Sequence, residues 1–277
     1  PKLAIQYNIN SQNNIYLSLT KGYKSGGFNT QIFSDLLQNR LMNDMMNDMG
    51  LHKDGMGTTS YNSAEATGYD SEYNWNYEIG THLDFNKINL LVDFALFYID
   101  IRDQQLTVFP QGKNTGRMMT NAGKSRSIGG ELSLTYRIKD FLLNGSYGHT
   151  TAKFIDFNDG KKNHNGKYVP FAPQNTMALT GQYTFYINKK IIDQLILSAN
   201  WKGVGKIYWD EENRVVQPFY SQLGATLALQ KGDFEIKCWG KNLTNTNYTT
   251  FYFVSIGNRF CQRGKPRQIG VSLMCEF

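Results

Sequence analysis

The residues with the clearest chemical potential are sulfur ligands gathered in one polar segment of the chain. Five methionines and one histidine fall within it: Met42, Met45, Met46, Met49, Met56 and His52. Thioether sulfur is a soft ligand that suits copper(I), so the segment has the composition of a metal-catching loop. The spacing 42, 45, 46 and 49 is also that of one apolar face of a helix, and we favour this second interpretation.

Other reactive side chains are too dispersed to build a catalytic centre. The histidines are His52, His82, His149 and His164. They are far apart, and no HExxH, GxSxG or Walker pattern accompanies them. The three cysteines form no CxxC pair, so we interpret them as small apolar residues. We therefore predict a protein that is not an enzyme and that has no resident metal or cofactor.

The elements that must position any such residues are strands, because apolar and polar residues alternate along most of the chain. The first unit is Leu3, Ile5, Tyr7 and Ile9, and the last is Ile269, Val271, Leu273, Cys275 and Phe277. We count about eleven such units, and an aromatic content of 14% also favours β-structure. No apolar run approaches the roughly 20 residues of a membrane-spanning helix.

The connections between these predicted strands alternate in length. Short connections lie at 11–14, 86–87, 139–140, 188–193 and 231–233, and long links lie at roughly 24–72, 110–127, 156–172, 206–217 and 251–266. Short turns on one side and long loops on the other are typical of a bacterial outer-membrane β-barrel, and the internal prolines lie on the long side. A soluble β-sandwich is the alternative, but its strands are usually shorter.

Six short segments stand out on these strands and links. They are KGYKSGGFN at 21–29, NYEIG at 76–80, ALFYIDI at 95–101, NAGKS at 121–125 with GGEL at 129–132, VPFAP at 169–173, and GKNLTN at 240–245. Each is unspecific alone. In this order, the sequence resembles the TonB-dependent outer-membrane receptors over essentially its whole length.

The resemblance implies an all-β fold, an antiparallel transmembrane β-barrel of about 22 strands around an N-terminal plug. Residues 1–277 would supply about eleven C-terminal strands of that barrel. The resemblance thus implies that the plug and the first half of the barrel lie outside this sequence. Open sheet edges cannot persist in hydrocarbon, so we expect the chain to function only with the missing half.

The resemblance also implies the import of a scarce chelate, most commonly a ferric siderophore or a related metal complex, across the cell outer membrane. The expected partners are the metal-chelate ligand, outer-membrane lipid, the TonB complex acting through the missing plug, and the barrel-assembly machinery. The terminal strand, with Ile269, Val271, Leu273 and Phe277, is similar to the signal that this machinery recognises. The alternatives are a passive porin-like or adhesive barrel, and an importer of copper or oligosaccharide.

The formal net charge of +6 raises the question of an anionic partner. One basic cluster comprises Arg259, Arg263, Lys265 and Arg267. Elsewhere basic and acidic residues are mixed, so we predict no nucleic-acid binding and favour contact with an anionic lipid or ligand.

Ligand-binding residues are expected on the long-loop side. Tyr23 and Lys24 lie near the upper end of a predicted strand, where they could meet an anionic chelate. The complete set of ligand-binding candidates is Tyr23, Lys24, Met45, Met46, Met49 and His52.

Overall fold

The computed structural model describes residues 1–29, 41, 44–46, 48–50, 67–108, 118–159, 162–188, 190–255 and 258–276. In chain order, their strands are β1 (Lys2–Asn8), β2 (Asn14–Lys24), β3 (Gly27–Phe28), β4 (Gly68–Tyr69), β5 (Glu72–Phe85), β6 (Leu90–Val108), β7 (Met118–Ile138), β8 (Phe141–Phe157), β9 (Asn175–Tyr186), β10 (Gln194–Val204), β11 (Ile207–Tyr208), β12 (Val216–Gln217), β13 (Tyr220–Lys231), β14 (Phe234–Lys241), β15 (Thr249–Ser255), β16 (Asn258–Arg263) and β17 (Gln268–Cys275). A 3₁₀ turn at Asn86–Ile88 separates β5 from β6. Among these residues, no helix is long and apolar enough to cross a membrane.

Eleven of the strands form one sheet in the order β1-β2-β5-β6-β7-β8-β9-β10-β13-β14-β17. Each neighbouring pair is antiparallel. The other strands pair as β3 with β4, β11 with β12, and β15 with β16. The large sheet is not closed, because β1 and β17 are its two edges. The predicted antiparallel architecture of about eleven strands is confirmed.

The register of the sheet places apolar residues beside apolar residues. One row crosses five strands through Tyr183, Leu197, Leu227, Cys238 and Val271. Directly opposed residues of antiparallel strands share a face, so the alternation within each strand extends across the sheet. We call the face that carries this row the apolar face, and its reverse the polar face. Many large side chains of the apolar face are exposed, which predicts an apolar environment around it.

Short connections gather at one end of the sheet, as the sequence predicts. They lie at 9–13, 86–89, 139–140, 187–193 and 232–233. Their turn chemistry is visible in the backbone, because Asn89, Lys139, Asn188 and Gly232 all have positive φ. Asparagine and glycine tolerate this left-handed conformation better than other residues, which favours tight reversals at these points.

The opposite end carries the long links, which we call the long-link end. They lie at 25–71, 109–117, 158–174, 205–219 and 242–267. The expected link at 110–127 is too long, because β7 begins at Met118. The polar segment around Asn121 hides the alternation there, yet the β6–β7 ladder continues through bulges to the pair Val108–Met118. The predicted link at 251–266 contains regular structure, since β15 and β16 form an antiparallel pair there.

Two small apolar clusters lie at the long-link end. In the first, Phe154 and Phe157 are buried and pack with Leu106 and Val169. In the second, Ile207, Trp209 and Tyr252 are buried together, with Val204 and Val215 packed against them. Apolar burial of this kind holds links in one conformation, since each large side chain removed from water stabilises it by about 1.5–3 kcal/mol.

Candidate functional site

The residues Tyr23 and Lys24 lie at the end of β2 but belong to opposite faces. Tyr23 is opposite Tyr73 and follows the apolar positions Leu17 and Leu19 on alternate residues, so it lies on the apolar face. Its side chain is 72% exposed. Lys24 is opposite Glu72 and lies on the polar face. The two residues therefore do not form one site, and a ligand contact at Lys24 stays a prediction.

The described part of the methionine-rich segment is helical. Residues 41, 44–46 and 48 have helical geometry, and the Met49 amide donates to the Met45 carbonyl at 3.2 Å. Met45 and Met49 are exposed, whereas Met46 is partly buried. Met42, Met56 and His52 lie outside the described residues. Within the described ranges, no group of three or more His, Cys, Asp or Glu residues is placed to hold a metal ion. Ligand binding by this segment stays a prediction.

Gln105 anchors the stem of the methionine-rich link. Its buried side-chain amide donates to the carbonyls of Ser25 at 2.8 Å and Asp70 at 3.0 Å, while its backbone amide donates to Glu72 Oε2 at 2.8 Å. Asn121 of β7 adds a second tie, since its Nδ2 donates to the Asp70 carbonyl at 2.8 Å. No local pattern marks this anchor, because glutamine on a strand is usually an ordinary solvated residue.

The links 158–174 and 205–219 are tied to each other by polar contacts. The Tyr168 amide donates to Asn213 Oδ1 at 2.7 Å, and Asn213 Nδ2 returns a hydrogen bond to the Tyr168 carbonyl at 2.9 Å. Lys162 Nζ donates to Glu212 Oε1 at 2.6 Å. This hydrogen bond lowers the pKa of the Glu212 carboxyl below its ordinary value.

The link 242–267 contacts the link 205–219 in the same way. The Thr249 amide donates to Gln217 Oε1 at 2.8 Å, and Tyr252 completes the buried cluster of Ile207 and Trp209. Asn242 fixes the base of this link: its buried Nδ2 donates to the carbonyls of Thr246 at 3.0 Å and Lys265 at 3.1 Å. The links 158–174, 205–219 and 242–267 thus fold together, and we call them the three-link cap.

A chain of aromatic rings crosses the three-link cap. Its contacts join Trp209 to Phe171 at 5.5 Å between centroids, Phe171 to Phe251 at 5.6 Å, Phe251 to Phe253 at 5.7 Å and Phe253 to Phe260 at 5.0 Å. Trp209 is buried, but the four phenylalanines are exposed. The signal in the sequence is the local abundance of aromatics in these links, which strand alternation does not require.

Below the cap, the polar face forms an open groove of about 590 Å³. It is lined by three lysines, Lys202, Lys241 and Lys265, together with Trp239, Tyr248, Asn200, Gln222 and Gln268. The described lining contains no Asp or Glu, and Lys241 Nζ lies 5.0 Å from the centroid of the Trp239 ring. Lysines that lack a carboxylate partner favour an anion, so this groove has the electrostatic character of an anion-binding surface.

An open antiparallel sheet with short turns at one end and folded long links at the other is the arrangement expected for part of a β-barrel wall. A family model described as "TonB dependent receptor-like, beta-barrel" matches residues 1–254. The chain belongs to the TonB-dependent receptors, a family of outer-membrane proteins. The predicted family is therefore confirmed.

Curated relatives include the pesticin receptors of Yersinia enterocolitica and Yersinia pestis. Each is 25% identical over 232 residues, which cover 80% of this chain and 32% of the relative. The chain thus spans about a third of the length of these relatives. Both are named as receptors, and the prediction that this chain is not an enzyme stays a prediction.

Solved structures include the ferric yersiniabactin uptake receptor FyuA from Yersinia pestis, with a TM-score of 0.75 and 21% identity; the match covers 100% of this chain and 37% of FyuA. The siderophore receptor PiuA from Acinetobacter baumannii has a TM-score of 0.69 and 20% identity, over 98% of this chain and 34% of PiuA. These matches confirm the fold of a TonB-dependent receptor barrel.

Proposed function

We propose that this chain is part of an outer-membrane receptor that imports a ferric siderophore or a related metal chelate by TonB-dependent transport. The observation that carries the proposal is the family match over residues 1–254. FyuA and PiuA, whose structures resemble this one, are named as a ferric yersiniabactin uptake receptor and a siderophore receptor, respectively. The TonB complex would act through a plug supplied by the rest of the receptor.

The charge of the polar face supports an anionic substrate. Lys202, Lys241 and Lys265 share one groove whose described lining has no carboxylate. Ferric chelates with several deprotonated oxygen ligands are commonly anionic, and a charge-assisted hydrogen bond contributes about 1.5–3 kcal/mol. The aromatic chain of the three-link cap lies at the same end of the sheet and would supply flat apolar contacts.

The apolar face supports location in the outer membrane. Ile269, Val271 and Leu273 of the terminal strand are strongly exposed on it, and Phe277 lies outside the described residues. In the complete receptor these residues would face lipid and present the strand to the barrel-assembly machinery. Outer-membrane lipid and this machinery are therefore proposed partners.

The experiment is an uptake assay in a strain that lacks the receptor and carries it on a plasmid. We expect iron-limited growth on one ferric chelate to require both the receptor and TonB. Among variants, K241Q should raise the half-saturating chelate concentration by about tenfold, the effect of losing about 1.5 kcal/mol.

The matched control is K237Q, on the same strand and face as Lys241. Lys237 is nearer the short-turn end and pairs with Glu235 at 2.7 Å. K237Q should leave uptake unchanged. Growth that depends on copper or on an oligosaccharide instead, or uptake that is independent of TonB, would contradict the proposal.

A further inference from the structure

A small group of hydrogen-bonded polar side chains lies on the apolar face at the long-link end. His149 and Thr151 are alternate residues of β8, and Asn175 is opposite His149 at the start of β9. Asn175 and Tyr183 are both odd-numbered positions of β9, so the group shares the face of Tyr183. Polar groups on a face that meets lipid cost free energy unless they are paired, and an ionisable residue there points to a functional role.

The contacts among these residues connect a hydroxyl, an imidazole and an amide in series. Asn175 Oδ1 lies 3.0 Å from His149 Nδ1 and accepts from the Tyr147 hydroxyl at 2.7 Å. Because an amide oxygen can only accept, the neutral imidazole carries its proton on Nδ1 and its lone pair on Nε2. Nε2 lies 3.3 Å from Thr151 Oγ1, whose hydroxyl donates to that lone pair. A hydroxyl, a base and a group that orients the base are the parts of an acyl-transfer site.

Gly205 allows Asn175 to take up this position. A Cβ at Gly205 would lie 2.8 Å from the Asn175 backbone nitrogen and 2.9 Å from the Asn175 Cβ. The Gly205 amide instead donates to the Asn175 carbonyl at 2.7 Å. The backbone of Gly205 therefore fixes Asn175 from one side, and the Tyr147 hydroxyl fixes its amide oxygen from the other. Support of this kind keeps a base oriented.

Two features beside the threonine hydroxyl suit an acyl ester. An apolar groove of about 600 Å³ borders Thr151 and His149, and its other walls include Phe94 and Ile128. Arg126 lies on the same face of β7, two residues from Ile128, the partner of Thr151. Diagonal neighbours of this kind are about 7–8 Å apart, within reach of a long side chain, so the guanidinium can stabilise an oxyanion.

We propose that this group cleaves the ester bond of an acyl lipid, with Thr151 as the nucleophile, His149 as the general base and Asn175 as the positioning residue. As Thr151 Oγ1 attacks the carbonyl carbon, His149 Nε2 takes the hydroxyl proton and passes it to the departing alcohol, which leaves an acyl–threonine ester. Water then attacks this ester with His149 again as the base. The proton taken from water returns to Thr151 Oγ1, and the fatty acid leaves. The choice of a lipid ester rests on the proposed location in the outer membrane.

No sequence motif marks this group. Asn175 is 26 residues from His149 along the chain, and only the pairing of β8 with β9 brings the two side chains together. An esterase assay therefore decides between this activity and the expectation, drawn from the sequence, of a protein that is not an enzyme.

The test uses the complete receptor in detergent micelles, with 4-nitrophenyl octanoate as the ester and a fluorophosphonate as the probe of the nucleophile. We expect release of 4-nitrophenolate and a phosphonyl adduct on Thr151, located by peptide mass spectrometry. T151V should abolish both, and H149F should lower the release rate by about 10²- to 10⁴-fold. T151S should retain both, because serine supplies the same hydroxyl.

Two variants of Asn175 separate positioning of the base from support of the fold. N175L should lower the release rate by roughly tenfold, the effect expected of one hydrogen bond to a charged imidazolium. N175D should retain the rate, since a carboxylate oxygen accepts the same hydrogen bond. The matched control is T150V, at the adjacent residue on the polar face, and it should leave both readouts unchanged.

The heat-modifiable band shows which variants fold, and the adduct on the wild-type receptor requires no variant at all. Absence of ester cleavage by the folded wild-type receptor overturns the proposal. Equal cleavage by wild type and T151V does so too, as does an adduct on a residue other than Thr151. The micellar assay involves no transport, so a failure of chelate uptake would refute the transport proposal alone.

Discussion

Leu197 offers a direct test of how the apolar face meets the membrane. It lies on β10 between Tyr183 and Leu227, four positions along the chain from both Asp193 and Trp201. Asp193 marks one edge of the apolar belt, where its carboxylate pairs with Lys231 Nζ at 2.6 Å. With a rise of about 3.3 Å per residue and a tilt of roughly 40°, each edge is about 10 Å away. Leu197 is therefore near the middle of the belt.

The substitution Leu197→Arg would place a charge at that depth. Arginine at the bilayer midplane of a membrane barrel costs about 2–4 kcal/mol, which is a factor of about 30 to 900 in the folding equilibrium. Leu197 is 39% exposed without lipid, so overpacking within the sheet contributes little. The charge in hydrocarbon should dominate the effect.

The assay is reversible folding of the complete receptor into lipid vesicles, followed by the heat-modifiable band and by urea titration. The matched control is Ser198→Arg, the same substitution at the adjacent residue. Ser198 is opposite Gln182 and Thr226 on the polar face, so its charge would remain hydrated. Ser198→Arg should change the free energy of unfolding by much less than Leu197→Arg.

The terminal strand extends the test to another depth. Leu273 is opposite Ile236, one row nearer the short-turn end than Val271. Leu273→Arg should therefore be less damaging than Leu197→Arg, and Ser272→Asn on the polar face should be nearly silent. Equal losses for Leu197→Arg and Ser198→Arg would refute the assignment of the two faces, and with it the lipid-facing role of this sheet.

Two further predictions concern the three-link cap. Asn242→Ala should destabilise the link 242–267 by about 3 kcal/mol, since it removes the side-chain hydrogen bonds to the backbone of Thr246 and Lys265 and puts alanine at a φ of 48°. Proteolysis within the link should accelerate. The control Asn247→Ala, at an exposed position of the same link, should have no effect. Because Lys162 lowers the pKa of Glu212, their bridge persists above that lowered pKa and is lost as the pH falls through it. Lys162→Met should move the Glu212 titration upward, as read from its carboxyl NMR signal; an unchanged titration would contradict the assigned cause.

The strands and their faces were predictable from the sequence because alternation is a local property. Leu195, Leu197 and Trp201 carry the apolar signal within a single strand, and the partner strand repeats it. The same parity also separates Tyr23 from Lys24, although their adjacency suggested a shared role. Short turns were predictable for a related reason, since each is a break of only a few residues between two alternating segments.

The site at the long-link end depended on tertiary structure. Gln105 became an anchor only because the carbonyls of Ser25 and Asp70, distant in sequence, lie beside it. Phe171 and Phe251 likewise stack only because two links fold together. Local periodicity specifies which face a residue takes, but contacts between links are set by packing and hydrogen bonding among segments whose separation along the chain carries no periodic signal.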